Sequence, residues 1–169
     1  MTTIAFDGRY LAADTLVVDA YGLKTLTTKI FTTPEYAVGV SGTVSGLFTV
    51  KKLSYVKPCE FLEDKEDFEA VPLQTFIQTG IPSDLEISVI VVCKKTKRIW
   101  TKTGAVYTLH KPYPFYSLGS GRDFALAAMR LGKTAIESVL IASEFIEGTN
   151  NIINYVDTND VHSKVHLME

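Results

Sequence analysis

The 169-residue sequence has little cysteine, little excess charge and no long hydrophobic run. Its two cysteines, Cys59 and Cys93, form no C-x-x-C pair, so a disulfide framework is not indicated. The net charge is −2 and no long basic block is present, which removes the electrostatic basis for binding nucleic acid. A signal-peptide pattern and a membrane-length apolar run are both missing. We therefore expect a single domain, 1–169, in the reducing cytoplasm, with no nucleic-acid and no membrane partner.

The N-terminus, by contrast, carries a chemical signal. The chain begins Met1-Thr2-Thr3, and a methionine in front of a small residue is normally trimmed during synthesis, which would make Thr2 the first residue. A threonine hydroxyl is a poor nucleophile until a base takes its proton, and a terminal α-amine with a pKa of about 7.7–8.0 would lie on the same residue. Thr2 is therefore a candidate nucleophile with its own general base. The alternative is an ordinary start methionine before a first strand.

The segments after Thr2 predict a sheet that holds the terminus. Residues 4–6 and 10–14 are apolar runs separated by Asp7-Gly8, a strong signal for a β-hairpin. Three further pieces follow: a threonine-lysine strand at 27–31, a strand that runs into a helix at 37–43, and a glycine-serine-glycine turn that runs into another helix at 117–123.

The rest of the pattern predicts further strands and helices. We expect a helix near 43–56, a β-branched strand at 86–93, its returning strand at 98–101, a helix at 122–131 and a strand at 152–156. Thr134 and Glu137 form a capping-box pattern that begins one more helix. The predicted apolar faces of the last two helices include Phe124, Leu131 and Phe145. This order of elements predicts two sheets covered by helices.

The lysine-rich run at 94–98, Lys-Lys-Thr-Lys-Arg, lies between two predicted strands. Such a run could contact phosphate, but its place at a hairpin turn favours a solvated turn. We expect its lysine side chains to lie in water.

Taken in this order, the pieces from Thr2 to about residue 157 resemble a proteasome β-type subunit of the N-terminal-nucleophile hydrolases, most closely the short bacterial HslV form. The resemblance implies an α+β fold, a four-layer αββα sandwich of two antiparallel sheets covered by helices. It also implies a threonine peptidase that acts on peptides or unfolded proteins. The resemblance further implies assembly into a homo-oligomeric ring or double ring, for which an ATPase unfoldase is a candidate partner. No cofactor is required. The family can hold a structural monovalent cation through backbone carbonyls, and Thr158 is the candidate position for it in this chain.

The resemblance also assigns roles to individual residues. Thr2 would attack a peptide carbonyl to give an acyl-enzyme, and Lys29 would lower the pKa of its hydroxyl and amine. The remaining positions are Asp14 as the buried partner of Lys29, Gly42 as the oxyanion-binding amide, and Ser120 with Asp157 as hydrogen-bonding groups near the terminal amine.

Two departures from the family pattern concern the contacts with a partner ATPase and the shape of the substrate pocket, and two other functions stay open. Ser45-Gly46 stands where the family has an alanine-aspartate pair, and residues 57–84 are irregular where the family has a longer helix. A retained Met1 would block the amine, and the chain would then be an inactive ring or scaffold protein. An amidase acting on a small amide would use the same residues as a peptidase.

Overall fold

The computed structural model of the chain describes residues 2–42, 70–72, 87–103, 106–110 and 115–168. The helix predicted at 43–56, including Ser45 and Gly46, lies outside these ranges. Most of the segment predicted to be irregular, 57–84, lies outside them as well. Within that segment the short strand Ala70–Pro72 is a correction, because it pairs with a strand of a sheet.

The described residues form thirteen strands and two helices. In chain order the strands are β1 (Thr3–Phe6), β2 (Tyr10–Asp14), β3 (Leu16–Val18), β4 (Lys24–Leu26), β5 (Ile30–Thr32), β6 (Tyr36–Gly42), β7 (Ala70–Pro72), β8 (Ile87–Cys93), β9 (Ile99–Thr103), β10 (Val106–His110), β11 (Tyr116–Gly119), β12 (Ile153–Asp157) and β13 (His166–Met168). The helices are α1 (Arg122–Arg130) and α2 (Ala135–Phe145).

The strands form two large sheets. The first has the order β11-β1-β2-β12-β13 and the second β5-β6-β8-β9-β10-β7, while β3 and β4 form a separate hairpin. Neighbouring strands run antiparallel throughout the described residues. The predicted hairpin of β1 and β2 is confirmed, with Ile4 opposite Ala13.

The two large sheets pack face to face through an apolar core. Ile4 and Leu11 of the first sheet meet Ile30 and Ile90 of the second, and all four side chains are buried. Burying a large aliphatic side chain contributes about 1.5–3 kcal/mol relative to exposure, so this interface is a main source of stability. Because side chains alternate along a strand, neighbours such as Ala12 face the opposite side, toward the helices.

The helices α1 and α2 cover the outer face of the first sheet. Ala125 of α1 and Ala135 of α2 lie in one cluster with Ala5 and Ala12. The helices and two sheets are three layers of the predicted αββα sandwich, and the other helical layer would fall on residues outside the described ranges. Within the described part of the chain, neither helix is long and apolar enough to cross a membrane.

The predicted apolar faces of the helices are wrong at their ends. Phe145 is 61% exposed, and its ring stacks on the exposed Phe124 ring with 5.0 Å between centroids. Leu131 is exposed as well. The helices contact the sheet through Ala125, Met129, Ala135 and Val139. Large side chains that lie outside this stripe stay in solvent.

The β1–β2 turn and a capping box together fix the start of α2. Thr134 Oγ1 accepts a hydrogen bond from the Glu137 N–H at 3.2 Å, and Glu137 Oε2 accepts one from the Thr134 N–H at 2.9 Å. Asp7 accepts bonds from the N–H groups of Tyr10 in the turn, at 2.7 Å, and Ala135 in the helix, at 2.8 Å. The predicted capping box is therefore confirmed.

Replacing Thr134 with alanine is expected to lower the free energy of unfolding by about 1 kcal/mol, because the Glu137 N–H loses its acceptor at the helix terminus. Urea denaturation followed by circular dichroism measures this change. The variant Thr134→Ser keeps the hydroxyl and serves as the control. An unchanged midpoint for Thr134→Ala would show that the box contributes nothing to stability.

Candidate active site

Thr2 lies immediately before β1 and is almost fully buried. Its N–H donates to Ser120 Oγ at 3.2 Å, and the Ser120 hydroxyl donates to the Thr2 carbonyl oxygen at 3.2 Å. The Gly121 N–H gives the same carbonyl a longer hydrogen bond of 3.4 Å. The turn after β11 therefore holds the backbone of Thr2, and it brings the predicted residue Ser120 beside the Thr2 nitrogen.

This turn approaches Thr2 so closely that glycine is required on both sides of Ser120. A Cβ atom on Gly119 would overlap the Thr2 carbonyl oxygen, and one on Gly121 would overlap Thr3 Oγ1. Gly119 also has a φ of +94°, in the left-handed region that side chains disfavour. The Gly-Ser-Gly sequence thus makes room for direct contact between two backbones at the candidate nucleophile.

A buried ion pair lies next to Thr2. Lys29 Nζ is 3.0 Å from Asp14 Oδ1 and 2.9 Å from Oδ2, and the two residues are 4% and 0% exposed. The Asp14 carboxylate also accepts hydrogen bonds from the N–H groups of Thr3, at 2.9 Å, and Leu16, at 3.2 Å. The predicted pairing of Lys29 with Asp14 is present, and the Thr3 N–H connects it to the residue that follows Thr2.

The environment of this pair shifts both ionisations. Burial raises the pKa of the Asp14 carboxyl and lowers the pKa of the Lys29 ammonium, because both charges are removed from water. The attraction between the two groups opposes each shift. The ion pair therefore favours the charged forms of both groups, which burial disfavours.

The sheet positions bring this pair together from two layers. Asp14 ends β2 in the first sheet, whereas Lys29 precedes β5 in the second. The Val40 N–H donates to the Lys29 carbonyl oxygen at 2.9 Å, so β6 runs alongside Lys29. Gly42 ends β6 two residues later, is exposed and has a φ of +128°. Gly42 therefore lies at the end of the strand that runs alongside Lys29. The role of the Gly42 N–H as an oxyanion donor stays a prediction.

Asp157 does not join this group, which corrects its predicted place near the terminal amine. In the pairing of β12 with β2, Ile153 lies opposite Asp14 and Asp157 lies opposite Tyr10. Four residues of strand separate these positions by about 13 Å. The Asp157 carboxylate instead accepts hydrogen bonds from Arg9 at 3.2 and 2.9 Å, and this guanidinium holds the pKa of Asp157 below its usual range.

Thr158, the residue tied to a monovalent cation, lies at the same distant end. Its hydroxyl donates to the Arg9 carbonyl oxygen and accepts a 2.8 Å hydrogen bond from Lys97 Nζ. The hydroxyl is therefore already engaged both as a donor and as an acceptor, and a cation bound through backbone carbonyls at this residue stays a prediction. The described residues also contain no cluster of three or more His, Cys, Asp or Glu side chains that could hold a metal.

The sequence reasoning missed the contribution of the Thr3 N–H to the Asp14 carboxylate. The register of the first hairpin is the sequence signal that could have predicted this contact. Pairing of Ile4 with Ala13 around the Asp7-Gly8 turn places Thr3 beside Asp14, so the contact follows once the hairpin is predicted.

Comparisons with known proteins support the fold at low sequence identity. No family model matches the chain, and no curated protein matches it. The solved structure of eukaryotic HslV from Trypanosoma brucei is 18% identical with a TM-score of 0.64, covering 92% of this chain and 97% of that one. The chain has the proteasome β-type fold.

A second protein has the same fold. Thiobacillus denitrificans BPH is 20% identical with a TM-score of 0.59, covering 91% of this chain and 95% of that one. Its complex with epoxomicin is 17% identical with a TM-score of 0.61, covering 95% and 100%. The fold class expected from the sequence is therefore confirmed.

Proposed function

We propose that this chain is an N-terminal threonine hydrolase that cleaves peptide bonds after Met1 is removed. The observation that carries the proposal is the buried ion pair of Lys29 and Asp14, hydrogen-bonded to the Thr3 N–H directly beside Thr2. A buried pair of charges is costly to maintain unless further hydrogen bonds satisfy it. Its position next to a threonine that can become the terminus gives the pair a chemical role.

The reaction would proceed through an ester on Thr2. The Thr2 amine takes the proton from Oγ as Oγ attacks the peptide carbonyl, and the negative oxygen that forms accepts a hydrogen bond from the Gly42 N–H. The carbon–nitrogen bond then breaks, and the proton passes from the amine to the leaving nitrogen. A water molecule, deprotonated by the same amine, hydrolyses the ester and restores Thr2.

Lys29, Asp14 and Ser120 would prepare Thr2 for this step. The Lys29 charge lowers the pKa of the Thr2 hydroxyl and amine, while the Asp14 carboxylate balances that charge in the buried site. Ser120 Oγ, 3.2 Å from the Thr2 nitrogen, would orient the amine toward the hydroxyl. Each of these three residues then acts through Thr2.

We also propose that the protein works in the cytoplasm on peptides or unfolded proteins, as a homo-oligomeric ring that could accept an unfolded chain from an ATPase. The fold shared with HslV and BPH supports this choice. A physical argument supports it as well, because freely accessible active threonines would cleave indiscriminately. The proposed reaction requires no cofactor, and a structural monovalent cation near Thr158 is compatible with it.

Peptide hydrolysis by Thr2 variants tests the proposal. Thr2→Ala should reduce turnover of a fluorogenic peptide to background, because it removes the nucleophile, whereas Thr2→Ser keeps a hydroxyl and should retain measurable turnover. Sedimentation velocity checks that both variants assemble like the wild type. Equal turnover by Thr2→Ala and the wild type would overturn the proposal. Turnover of small amides but not of peptides would identify an amidase.

A further inference from the structure

A cavity lies at the other end of the molecule from Thr2. It has a volume of about 650 Å³, which is within the range of about 300–1,000 Å³ typical of ligand pockets. The β8–β9 turn, at 94–97, forms one wall, residues 34–36 form another, and residues 158–161 form the third. We call it the lysine cavity, because Lys94, Lys95 and Lys97 all line it.

Lys94 is buried rather than solvated, which corrects the expectation from the sequence. Its residue is 4% exposed, although it is the first residue of a hairpin turn. Within the described residues, its ammonium makes a single hydrogen bond, 3.5 Å long, to the Asp160 carbonyl oxygen. An ammonium has three donors. A buried charge so weakly satisfied is costly unless an anion reaches it.

Lys97 brings a second ammonium to the same cavity through an unusual backbone. Its φ is 62°, and among the described residues Lys97 is the one non-glycine residue with a positive φ. The Lys97 N–H donates to the Cys93 carbonyl oxygen at 2.8 Å, which fixes the turn. Its Nζ donates to Thr158 Oγ1 at 2.8 Å. Residues outside their preferred backbone region are often found at functional sites.

The charges that line the cavity are mostly positive. The three lysines face a single lining carboxylate, that of Glu35. Outside the lining, the carboxylates of Asp160 and Asp157 attract Lys94, and Asp157 also attracts Lys97. Asp157 is already bonded to Arg9. Burial lowers the pKa of Lys94 and the pKa of Lys97, because it removes both ammonium groups from water. A bound anion would add negative charge beside them.

We propose that the lysine cavity binds the phosphate group of a small ligand. Lysine is a common phosphate-binding residue, and it binds phosphate as a compact point charge with three donors. Three such side chains line the cavity. This site is independent of the proposed hydrolase chemistry, because Lys94 and Lys97 make no contact with Thr2, Asp14 or Lys29 within the described residues.

Titration with inorganic phosphate tests the site. We expect saturable binding to the wild-type protein by calorimetry at constant ionic strength, and a melting temperature that rises with phosphate concentration. Lys94→Met should weaken binding at least about tenfold, as expected for the loss of a hydrogen bond to a charged group. Lys97→Met should also weaken it, and this second variant keeps the test decisive if Lys94→Met does not fold.

The matched control is Lys133→Met, which removes an exposed lysine before α2 and should leave phosphate affinity unchanged. Absence of saturable binding by the wild type, or wild-type affinity in either folded cavity variant, would overturn the proposal. Ribose 5-phosphate separates two sources of the anion. Tighter binding than inorganic phosphate would support an organic phosphate, and equal binding would support the free ion.

Discussion

Replacing Lys29 with methionine is expected to abolish peptide hydrolysis and to lower the free energy of unfolding by about 3–5 kcal/mol. The change leaves the Asp14 carboxylate, which is 0% exposed, without the ammonium that lies 2.9 Å away. It also removes the positive charge proposed to activate Thr2. Hydrolysis of a fluorogenic peptide gives kcat/KM, and urea denaturation gives the free energy of unfolding.

Two controls separate the effect on stability from the effect on chemistry. Lys24→Met removes an exposed lysine from β4 and should change neither quantity. In the double variant Lys29→Met, Asp14→Asn the buried carboxylate is gone, so much of the lost stability should return while hydrolysis stays absent. Normal turnover by Lys29→Met would contradict the mechanism, and a double variant as unstable as the single one would contradict the stranded-charge explanation.

Replacing Gly119 with alanine is expected to lower kcat/KM by about a hundredfold or more, because a displacement of about 1 Å at a reacting group can cost that much. The new Cβ would overlap the Thr2 carbonyl oxygen, so the backbone of Thr2 must move away from Ser120. The left-handed conformation of Gly119 adds a strain of about 1–2 kcal/mol for any residue with a side chain.

Gly132 offers a matched control for this experiment. It has a φ of +93°, nearly equal to the +94° of Gly119, but a Cβ on Gly132 would meet nothing within 4 Å. Gly132→Ala therefore introduces a side chain at a matching positive φ without the overlap. We expect both variants to lose stability and only Gly119→Ala to lose activity. Equal kcat/KM values for the two variants would show that contact with Thr2 has no part in catalysis.

Features encoded by neighbouring residues could be predicted from the sequence. The Asp7-Gly8 turn specifies the first hairpin, and Thr134 with Glu137 specifies the start of α2. Both signals act within a few residues, where turn chemistry and backbone capping dominate. The ion pair of Lys29 and Asp14 came instead from the resemblance, since residue types alone do not place two strands of different sheets side by side.

Features that depend on distant residues could not be predicted in the same way. The position of Asp157 depends on the register of β12 against β2, in which Ile153 and not Asp157 lies opposite Asp14. The burial of Lys94 depends on packing with distant segments, and its Nζ lies 3.5 Å from the Asp160 carbonyl oxygen. Such contacts follow from how strands align and loops pack, and one sequence contains little information about either.

The proposed chemistry depends most directly on a free threonine amine at the start of the chain. The decisive measurement is the intact mass of the purified protein after incubation with a peptide electrophile that reacts with an amino-terminal threonine, with peptide mapping of the modified site. The account predicts loss of Met1 and one adduct per chain on Thr2, and no adduct on Thr2→Ala. A chain that has lost Met1 and assembled normally but stays unmodified, or a chain that retains Met1, would contradict it.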